Sequence, residues 1–454
     1  MPIQTINPNT GKVEKSFSEL TLNEIISIID SVDKEFLNWK ATGFSFRKKL
    51  MSNAASILRE DKLEYGKILT LEMGKPIKQA VAEVEKCAWV CEYYAENAES
   101  ILREEIISTD ASESYIRFDP LGTILAVMPW NFPFWQVFRF AAPALMAGNV
   151  CLLKHASNVP MSALAIENIF AKAGFPENAF RTLLIGSSQV KEVINNPKVK
   201  AATLTGSEHA GKMVAESCGK VLKKTVMELG GSDPFIVLED ADIDVAVKTA
   251  VTARLINNGQ SCIAAKRFIV VKNIYNEFQN KFVELMSKVV IGDPVKEETE
   301  LGPIAREDLL IELDTQVKQS VAKGAKVLCG GERLNREGYF YPPTIVANVN
   351  KGMPAYEDEL FGPVASLIKA KDENDAINIA NDSEFGLGAS LWTNDKNKAK
   401  ILAGKIESGS IFINGLVKSD PRLPFGGIKI SGYGRELSHY GIKEFVNIKS
   451  VWIK

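Results

Sequence analysis

Histidine is scarce in this sequence of 454 residues, and the spacings that usually mark a metal site are missing. Only His155, His209 and His439 occur, and no C-x-x-C, H-x-x-x-H or H-E-x-x-H pattern is found. The sequence therefore predicts no metal site. A cysteine hydrolase normally needs a histidine as its general base, so this class is disfavoured as well.

Strong net charge and uninterrupted apolar runs are also absent. The chain has 54 Lys+Arg and 56 Asp+Glu, a formal charge of −2, so we expect no nucleic-acid or membrane partner. The most apolar stretch, residues 121–153, is broken by prolines and Arg139, which argues against a spanning helix. The start, MPIQTINPNTG, lacks the features of a signal peptide. Six scattered cysteines suit a reducing compartment, and we expect a cytoplasmic protein.

What is present is the pattern of an α/β protein long enough for two or three domains. Thr21–Glu24 forms a capping box ahead of a helix, and a longer helix is predicted after Pro76. From Tyr115 onward, short β-branched runs alternate with helical stretches, which predicts mostly parallel sheets. The final NIKSVWIK predicts a strand that needs a partner edge, which another subunit can supply.

The candidate nucleophile is Cys262, within the sequence NNGQSCIA. The polar, glycine-containing run predicts a tight turn with accessible backbone N–H groups. Such groups can lower the pKa of a thiol and can hold an oxyanion beside it. The alternative is an inert cysteine that follows a turn.

Two further polar residues stand in apolar surroundings. Glu228, in MELGGSDP, ends an apolar strand, where a raised pKa would suit a general base; the alternative is a glutamate that caps the next segment. Asn131 lies between Pro129 and Pro133, where its amide could face an oxyanion or tie down the loop.

The sequence LTGS, ending at Ser207, follows a strand-like run and precedes a helical one. This is the geometry that receives a phosphate at a helix N-terminus. The G-x-G-x-x-G and P-loop patterns are absent, so a dinucleotide cannot be inferred from the usual fingerprint.

In order and spacing, these features resemble the aldehyde dehydrogenase superfamily over nearly the whole chain. MELGGSDP resembles its glutamate signature and NNGQSCIAAKR its cysteine signature, 262 − 228 = 34 residues apart. PWNFP, LTGS and ELFGP also match. The resemblance implies two open α/β domains and a small β arm that assembles a homodimer or homotetramer. The expected boundaries are 1–107 and 119–228 for the NAD(P)-binding domain, 229–430 for the catalytic domain, and 108–118 and 431–454 for the oligomerisation arm.

The resemblance also implies a role for each matching residue. Cys262 attacks an aldehyde to form a thiohemiacetal, Asn131 holds the oxyanion, and Glu228 activates the water that hydrolyses the thioester. The residues implied to bind the cofactor are Pro129, Trp130, Lys154, His155, Ser157, Gly206, Ser207, Leu229, Glu359 and Phe361.

Ser157 departs from the common NAD pattern, in which a glutamate binds the ribose 2′-hydroxyl and repels a 2′-phosphate. With Lys154 retained and His155 beside it, the serine predicts NADP as the preferred cofactor, with NAD possible. The alternative is a small residue that accepts either cofactor.

The surroundings of Arg139 are similar to those of the succinate-semialdehyde dehydrogenase subgroup. One charge among aromatic residues, including Trp135, suggests an anchor for a substrate carboxylate. Ser261 and Ser419 could add hydrogen bonds, and succinic semialdehyde is the expected substrate. Some relatives carry an additional arginine where this chain has Ile256. The alternative is an internal salt bridge on the helix of Arg139.

Three other functions remain open from the sequence. One is a dehydrogenase for another small or carboxylated aldehyde, and another is a CoA-acylating enzyme with little need for Glu228. The third is a non-catalytic protein that kept the fold, although Cys262, Glu228 and Asn131 are all present.

Overall fold

The computed structural model describes residues 3–454 and contains strands and helices that alternate through most of the chain. The strands are β1 Ile3–Asn7, β2 Lys12–Phe17, β3 Glu105–Ile106, β4 Glu113–Pro120, β5 Thr123–Met128, β6 Val150–His155, β7 Phe180–Thr182, β8 Val199–Thr205, β9 Lys224–Glu228, β10 Pro234–Val237, β11 Arg267–Val271, β12 Lys326–Cys329, β13 Thr344–Ala347, β14 Val364–Ala370, β15 Gly388–Trp392, β16 Ser410–Ile413, β17 Gly432–Tyr433 and β18 Val446–Ile453. The helices are α1 Leu22–Trp39, α2 Phe44–Glu60, α3 Lys62–Met73, α4 Ile77–Ile101, α5 Trp135–Met146, α6 Pro160–Lys172, α7 Val190–Asn195, α8 Glu208–Lys220, α9 Ile243–Leu255, α10 Tyr275–Ser287, α11 Glu307–Ala322, α12 Pro354–Glu357, α13 Glu373–Asn381, α14 Lys396–Ala403 and α15 Ser438–Ile442.

The first unit is built on a six-stranded sheet with the order β17-β9-β8-β5-β6-β7. Four of its five neighbouring strand pairs are parallel, and the fifth, β17 with β9, is antiparallel. The central strands β5 and β8 are almost continuously buried, as expected for strands with helices on both faces. The carboxyl ends of β5, β6, β8 and β9 therefore lie along one edge, where open α/β sheets bind their ligands.

The second unit is a seven-stranded sheet with the order β12-β13-β14-β11-β10-β15-β16, parallel except at β12. Successive residues of β10 point to opposite faces of this sheet. Phe235 and Val237 join one hydrophobic cluster with α9 and α10, whereas Ile236 joins another with α11 and α13. The predicted pair of open α/β domains is confirmed.

A third, smaller sheet has the order β18-β4-β3 and is antiparallel. In it, Val446 pairs with Pro120 and Ile453 with Glu113. The C-terminal strand predicted from NIKSVWIK is therefore present, and it pairs within its own chain with the segment near residue 115. Pairing across subunits stays a prediction.

The predicted boundaries of this arm are wrong. Gly432–Tyr433 is a strand of the six-stranded sheet rather than of the arm, and the arm sheet begins again only at Val446. The physical reason lies in the residues between them. Leu437, Ile442 and Phe445 are buried in the core of the first unit, whereas most residues after Val446 are exposed.

Two helix predictions are confirmed. Thr21 caps α1, with its backbone N–H donating to Glu24 Oε2 at 2.7 Å and its hydroxyl accepting from the Glu24 N–H at 3.4 Å. Helix α4 follows Pro76 directly. None of the helices between residues 3 and 454 is long and apolar enough to cross a bilayer.

Candidate active site

The segment before Cys262 reverses direction through three consecutive residues in the left-handed region. Asn257, Asn258 and Gly259 have φ values of 57°, 58° and 74°. Asparagine and glycine tolerate this region better than other residues. A Cβ at position 259 would also lie 2.3 Å from the carbonyl carbon of Gly362. The turn can therefore press against the ELFGP segment only because position 259 is glycine.

The two asparagine side chains hold this turn to three other segments. Asn258 Nδ2 donates to the carbonyls of Gly74 and Pro303, each at 2.9 Å. Asn257 Nδ2 donates to the Asn131 carbonyl at 2.7 Å. Both side chains are buried, so these bonds form away from competing water. Cys262, the candidate nucleophile, therefore follows a turn that buried hydrogen bonds hold in place.

The Asn131 side chain is held in one orientation by two buried hydrogen bonds. Its Nδ2 donates to the Gln260 carbonyl at 3.0 Å, and its Oδ1 accepts from Gln136 Nε2 at 3.0 Å. The partners fix which end of the amide carries the hydrogens. One hydrogen on Nδ2 stays available beside Cys262, which lines the same cavity. This arrangement suits an oxyanion donor better than a purely structural amide.

Cys262 lies at the junction of two cavities. The first, of about 450 Å³, and the second, of about 670 Å³, share the side chains of Cys262 and Gln136. Of the residues predicted from sequence, the first cavity brings together Pro129, Trp130, Asn131, Gly206, Ser207, Leu229, Glu359 and Phe361. The second brings together Trp135, Arg139, Ser261 and Ser419.

The first cavity has the features of a dinucleotide site. Lys154 in β6 and Ser157, two residues after this strand ends, lie at the same sheet edge as Pro129 and Gly206, although neither lines the cavity itself. Helix α8 starts at this edge and is capped by the Ser207 hydroxyl. These positions fit a phosphate-bearing ligand, although the individual cofactor contacts stay predictions.

The resting Cys262 is a neutral thiol. Burial raises the pKa of this thiol to about 12, opposed by the nearby Lys266 ammonium. Lys266 is fully buried, and its Nζ donates to the carbonyls of Ser261 and Cys262, each at 2.7 Å. The same Nζ lies 3.3 Å from Glu359 Oε1. Lys266 therefore connects the cysteine loop to the carboxylate of the first cavity.

Glu228 does not line the cavity that Cys262 and Asn131 share, although its implied role requires it to act on the acyl group of Cys262. Its side chain lines neither cavity, and its two carboxyl oxygens have no hydrogen-bond partner. Gly426 leaves room for this carboxyl, since a Cβ there would lie 2.7 Å from Oε1. Burial, followed by repulsion from Glu436, raises the pKa of Glu228 well above its usual value. In this conformation Glu228 is separated from the cavity of Cys262 and Asn131, and its role as a base stays a prediction.

Arg139 is engaged in an internal ion pair. Its guanidinium pairs with Glu436, donates to Thr205 Oγ1 at 3.3 Å and lies 4.5 Å above the Phe425 ring. The alternative stated from sequence is thus present, but the partner comes from the C-terminal segment rather than from the helix of Arg139. Its predicted contact with a substrate carboxylate is untested.

Both ring nitrogens of His155 contact main-chain groups, and its predicted cofactor contact stays a prediction. Its Nδ1 lies 2.9 Å from the Ala156 nitrogen and 3.2 Å from the Met128 carbonyl, and its Nε2 lies 2.8 Å from the Pro133 carbonyl. The shorter carbonyl contact favours the tautomer with the proton on Nε2. Burial lowers the pKa of this imidazole to about 4, which keeps it neutral. Consecutive strand residues face opposite sides, so Lys154 is partly exposed while His155 is buried beneath the PWNFP loop.

Three residues of the site were not predicted: Gln136, Gln260 and Lys266. Gln260 Oε1 accepts from the Ala305 N–H at 2.9 Å and helps to hold the loop before the cysteine. Two of the three lie inside the NNGQSCIAAKR motif, so proximity to Cys262 was the available signal. No group of three or more His, Cys, Asp or Glu residues within 3–454 is arranged to hold a metal ion.

Comparisons with known proteins agree with this geometry. A sequence model described as the aldehyde dehydrogenase family matches residues 1–451. The chain is 53% identical to a probable NADP-dependent succinate-semialdehyde dehydrogenase from Synechocystis sp. and 51% identical to one named succinate-semialdehyde dehydrogenase [NADP(+)] 1 from Mycobacterium bovis, with both chains fully covered in each case. It also matches the crystal structure of succinic semialdehyde dehydrogenase from Streptococcus pyogenes in complex with NADP+, with 40% identity, 99% coverage of both chains and a TM-score of 0.98.

Proposed function

Because the chain belongs to the aldehyde dehydrogenase family, we propose that it oxidises succinic semialdehyde to succinate and uses NADP as the hydride acceptor. The observation that carries this proposal is the position of Cys262 at the junction of two cavities. A nucleophile shared by a cofactor cavity and a substrate cavity can hold the aldehyde carbon next to the hydride acceptor.

In the first step, the Cys262 thiol gives its proton to water, its sulfur adds to the aldehyde carbon, and the electron pair of the broken carbonyl π bond moves to the oxygen, which gains the negative charge. The free hydrogen on Asn131 Nδ2 and the backbone N–H of Cys262 donate to this oxygen. Because both donors are held in place before the reaction, little reorganisation is needed as the charge develops. The thiohemiacetal is therefore stabilised where it forms.

The cofactor supplies one kind of chemistry when it is bound, the acceptance of a hydride from the thiohemiacetal carbon, which leaves a thioester on Cys262. Pro129, Trp130 and Phe361 would enclose it on the apolar side. Trp130 and Phe361 already pack edge to face, with ring centroids 5.7 Å apart. Glu359 and Ser207 would bind its polar groups.

Hydrolysis of the thioester is the proposed task of Glu228. Its side chain rotates from the space beside Gly426 toward the first cavity, whose wall already contains the next two residues, Leu229 and Gly230. A carboxyl with a raised pKa can take a proton from water once it becomes ionised beside the acyl carbon. The water then releases succinate and the free Cys262 thiol.

The preference for NADP is supported by two observations. Position 157 is serine, so no carboxylate at that position repels a 2′-phosphate, and Lys154 stays partly exposed on the same edge. The two relatives described above carry NADP in their names. We therefore place the 2′-phosphate between Lys154 and Ser157.

We also propose that the chain assembles with copies of itself in the cytoplasm. The outer edge of β18 has no strand partner among the described residues, and Ile448 and Trp452 on this strand are 59% and 52% exposed. An eight-residue exposed edge of this kind invites pairing with a second chain. The six cysteines are free thiols, which is typical of a reducing compartment.

A panel of succinic semialdehyde, butanal and acetaldehyde, each assayed with NADP and with NAD, tests the proposed function. We expect the highest kcat/KM for succinic semialdehyde with NADP and a free acid as the product. A dependence on added CoA would favour the acylating alternative. Equal efficiency for the three aldehydes would contradict the proposed substrate.

A further inference from the structure

Helix α5 begins in the core without a capping residue of its own, directly after the loop that carries Asn131. Phe134 stands at the N-cap position and offers no side-chain acceptor to the first N–H groups of the helix. Glu83, on α4, takes this role, because its Oε1 accepts from the N–H groups of Phe134 at 2.9 Å and of Trp135 at 3.0 Å. The end of the PWNFP loop is therefore fixed by a carboxylate that lies 51 residues before Phe134 in the sequence.

The other carboxyl oxygen of Glu83 is held by a buried ammonium group. Lys75, which precedes α4, pairs with Glu83 Oε2, and its Nζ lies 4.3 Å from the centroid of the Phe132 ring. The side chains of Lys75 and Glu83 are only 1% and 2% exposed. Such a pair holds both partners in one geometry, since either charge left alone would be strongly unfavourable there. The pair therefore contacts this region at two points, the Phe132 ring and the start of α5.

The same helix, α4, also holds the turn that leads to Cys262. Gln79 lies four residues before Glu83, so the two side chains share one face of the helix. Gln79 Oε1 accepts from the N–H of Asn257, the first left-handed residue of the turn, at 2.7 Å. One face of α4 therefore contacts both segments that carry the reacting groups, the turn before Cys262 and the loop of Asn131.

We propose that Glu83 is a positioning residue that keeps the oxyanion donor Asn131 beside Cys262. The assignment rests on the proposed function, in which Asn131 Nδ2 donates to the oxygen of the thiohemiacetal. Glu83 lies in the wall of the second cavity, but it acts on a group that lines the first. A misplacement of a catalytic group by about 1 Å lowers a rate by about 100-fold, so a fixed loop matters for this donor.

Two double variants test the acceptor without leaving a buried charge unpaired. Lys75→Met/Glu83→Leu removes both charges and the acceptor, whereas Lys75→Met/Glu83→Gln removes both charges and keeps an acceptor oxygen for the two N–H groups. The measurement is the rate constant of the NADPH burst at saturating succinic semialdehyde. It should fall by about 10- to 100-fold in the first variant and recover to within about threefold of the wild type in the second. Equal losses in the two variants would contradict the role of the acceptor.

The variant Asn131→Ala decides whether Glu83 acts through the oxyanion donor. On its own it should lower the burst rate constant by about 100- to 1,000-fold, the range for a lost donor of this kind. In this background, Lys75→Met/Glu83→Leu should cause little further loss, since the donor that it displaces is already gone. A loss of equal size in both backgrounds makes Glu83 merely structural and overturns the assignment alone. An unchanged burst in Asn131→Ala, or no burst in the wild type, overturns the proposed function and the assignment with it.

A conservative variant, Glu83→Asp, keeps the test decisive if the apolar double variant does not fold. It keeps the charge beside Lys75 and withdraws the acceptor by one methylene. The burst rate constant should fall by about tenfold with Asn131 present and by less than about twofold in the Asn131→Ala background. The matched control is Glu85→Gln, which removes a half-exposed carboxylate paired with Lys62 on the same helix and should leave the burst unchanged. A wild-type burst in Glu83→Asp, or the same loss in both backgrounds, would contradict the positioning role.

Discussion

The two cavities that meet at Cys262 are built from different kinds of structure. The first is lined mainly by the ends of strands and the turns that follow them, such as Pro129–Asn131, Gly206–Ser207 and Leu229–Gly230. The second is lined by side chains from α4 and α5 and from the segment 417–425. The first cavity is lined mainly by short sequence motifs that follow strands. The second forms where segments that are far apart in the sequence pack against each other.

This contrast indicates that the two cavities, which lie on either side of the Cys262 sulfur, have different tasks. The first side is the first cavity and the second side is the second cavity. On the first side, amide groups and backbone N–H groups are held in fixed positions by buried hydrogen bonds. On the second side, the proposed function assigns the selection of the aldehyde to charged groups and apolar surface. A substitution that alters the first side should therefore change turnover or cofactor choice, and one that alters the second side should change substrate preference or stability.

The largest effect is expected where the two cavities meet. Cys262→Ala should lower kcat by at least about a thousandfold, because no other side chain can form the acyl intermediate. Binding of NADP, followed by isothermal titration calorimetry, should persist because the first cavity keeps its other walls. Substantial turnover in this variant would contradict the assignment of Cys262 as the nucleophile that the two cavities share.

Arg139→Met tests whether the arginine belongs to the fold or to the substrate site. It leaves Glu436 buried without its counter-charge, so the free energy of unfolding should fall by about 3 kcal/mol. Thermal unfolding of Arg139→Met and of Arg139→Met/Glu436→Gln measures this effect, and the double variant should recover part of the loss. A wild-type melting temperature together with a selective rise in KM for succinic semialdehyde would make Arg139 the anchor instead.

Ser157→Glu changes the sheet edge that is proposed to hold the 2′-phosphate and leaves the lining of both cavities unaltered. A carboxylate at this position should lower the ratio of kcat/KM for NADP to that for NAD by about 10- to 100-fold, because it repels the 2′-phosphate at a partly solvated edge. The ratio of efficiencies for succinic semialdehyde and butanal, measured with NAD, should stay unchanged. Ser157→Ala serves as the control without charge, and an unaltered cofactor ratio in Ser157→Glu would refute the placement of the 2′-phosphate.

The smallest effect concerns the thiol itself before the cofactor binds. Because burial raises the pKa of Cys262 to about 12, the thiolate fraction is small at neutral pH and grows as the pH rises. The rate constant for alkylation of Cys262 by iodoacetamide should therefore increase by about tenfold per pH unit between about pH 7 and pH 9. Peptide mass spectrometry separates Cys262 from Cys329, and a plateau already reached below about pH 8 would contradict the neutral thiol.

The sequence predicted the two α/β units, the C-terminal strand and nine of the residues that line the first cavity. These features depend on local patterns: alternating strands and helices, and short motifs such as Asn257–Gly259 that need a left-handed backbone. The orientation of Glu228 could not be predicted, because it depends on Gly426, almost two hundred residues away. The partner of Arg139 was missed for the same reason, since Glu436 reaches it only in the folded chain.

Glu83 shows this limit most clearly. In the sequence it is one glutamate on a long amphipathic helix, and nothing in the periodicity separates it from the other glutamates of that helix. Only folding brings it to the N–H group of Phe134, which is 51 residues away in the chain. His155 shows the reverse case, because its neighbours in the sequence suggested a cofactor contact, whereas in the fold both of its ring nitrogens contact main-chain groups.

The most direct test of Cys262 as the group shared by both cavities is mass spectrometry of the Glu228→Gln enzyme, quenched after mixing with NADP and succinic semialdehyde. The account predicts a burst of NADPH that approaches one equivalent per active site, with a succinyl group on the peptide that contains Cys262. Unimpaired turnover without an acyl group on that peptide would contradict it.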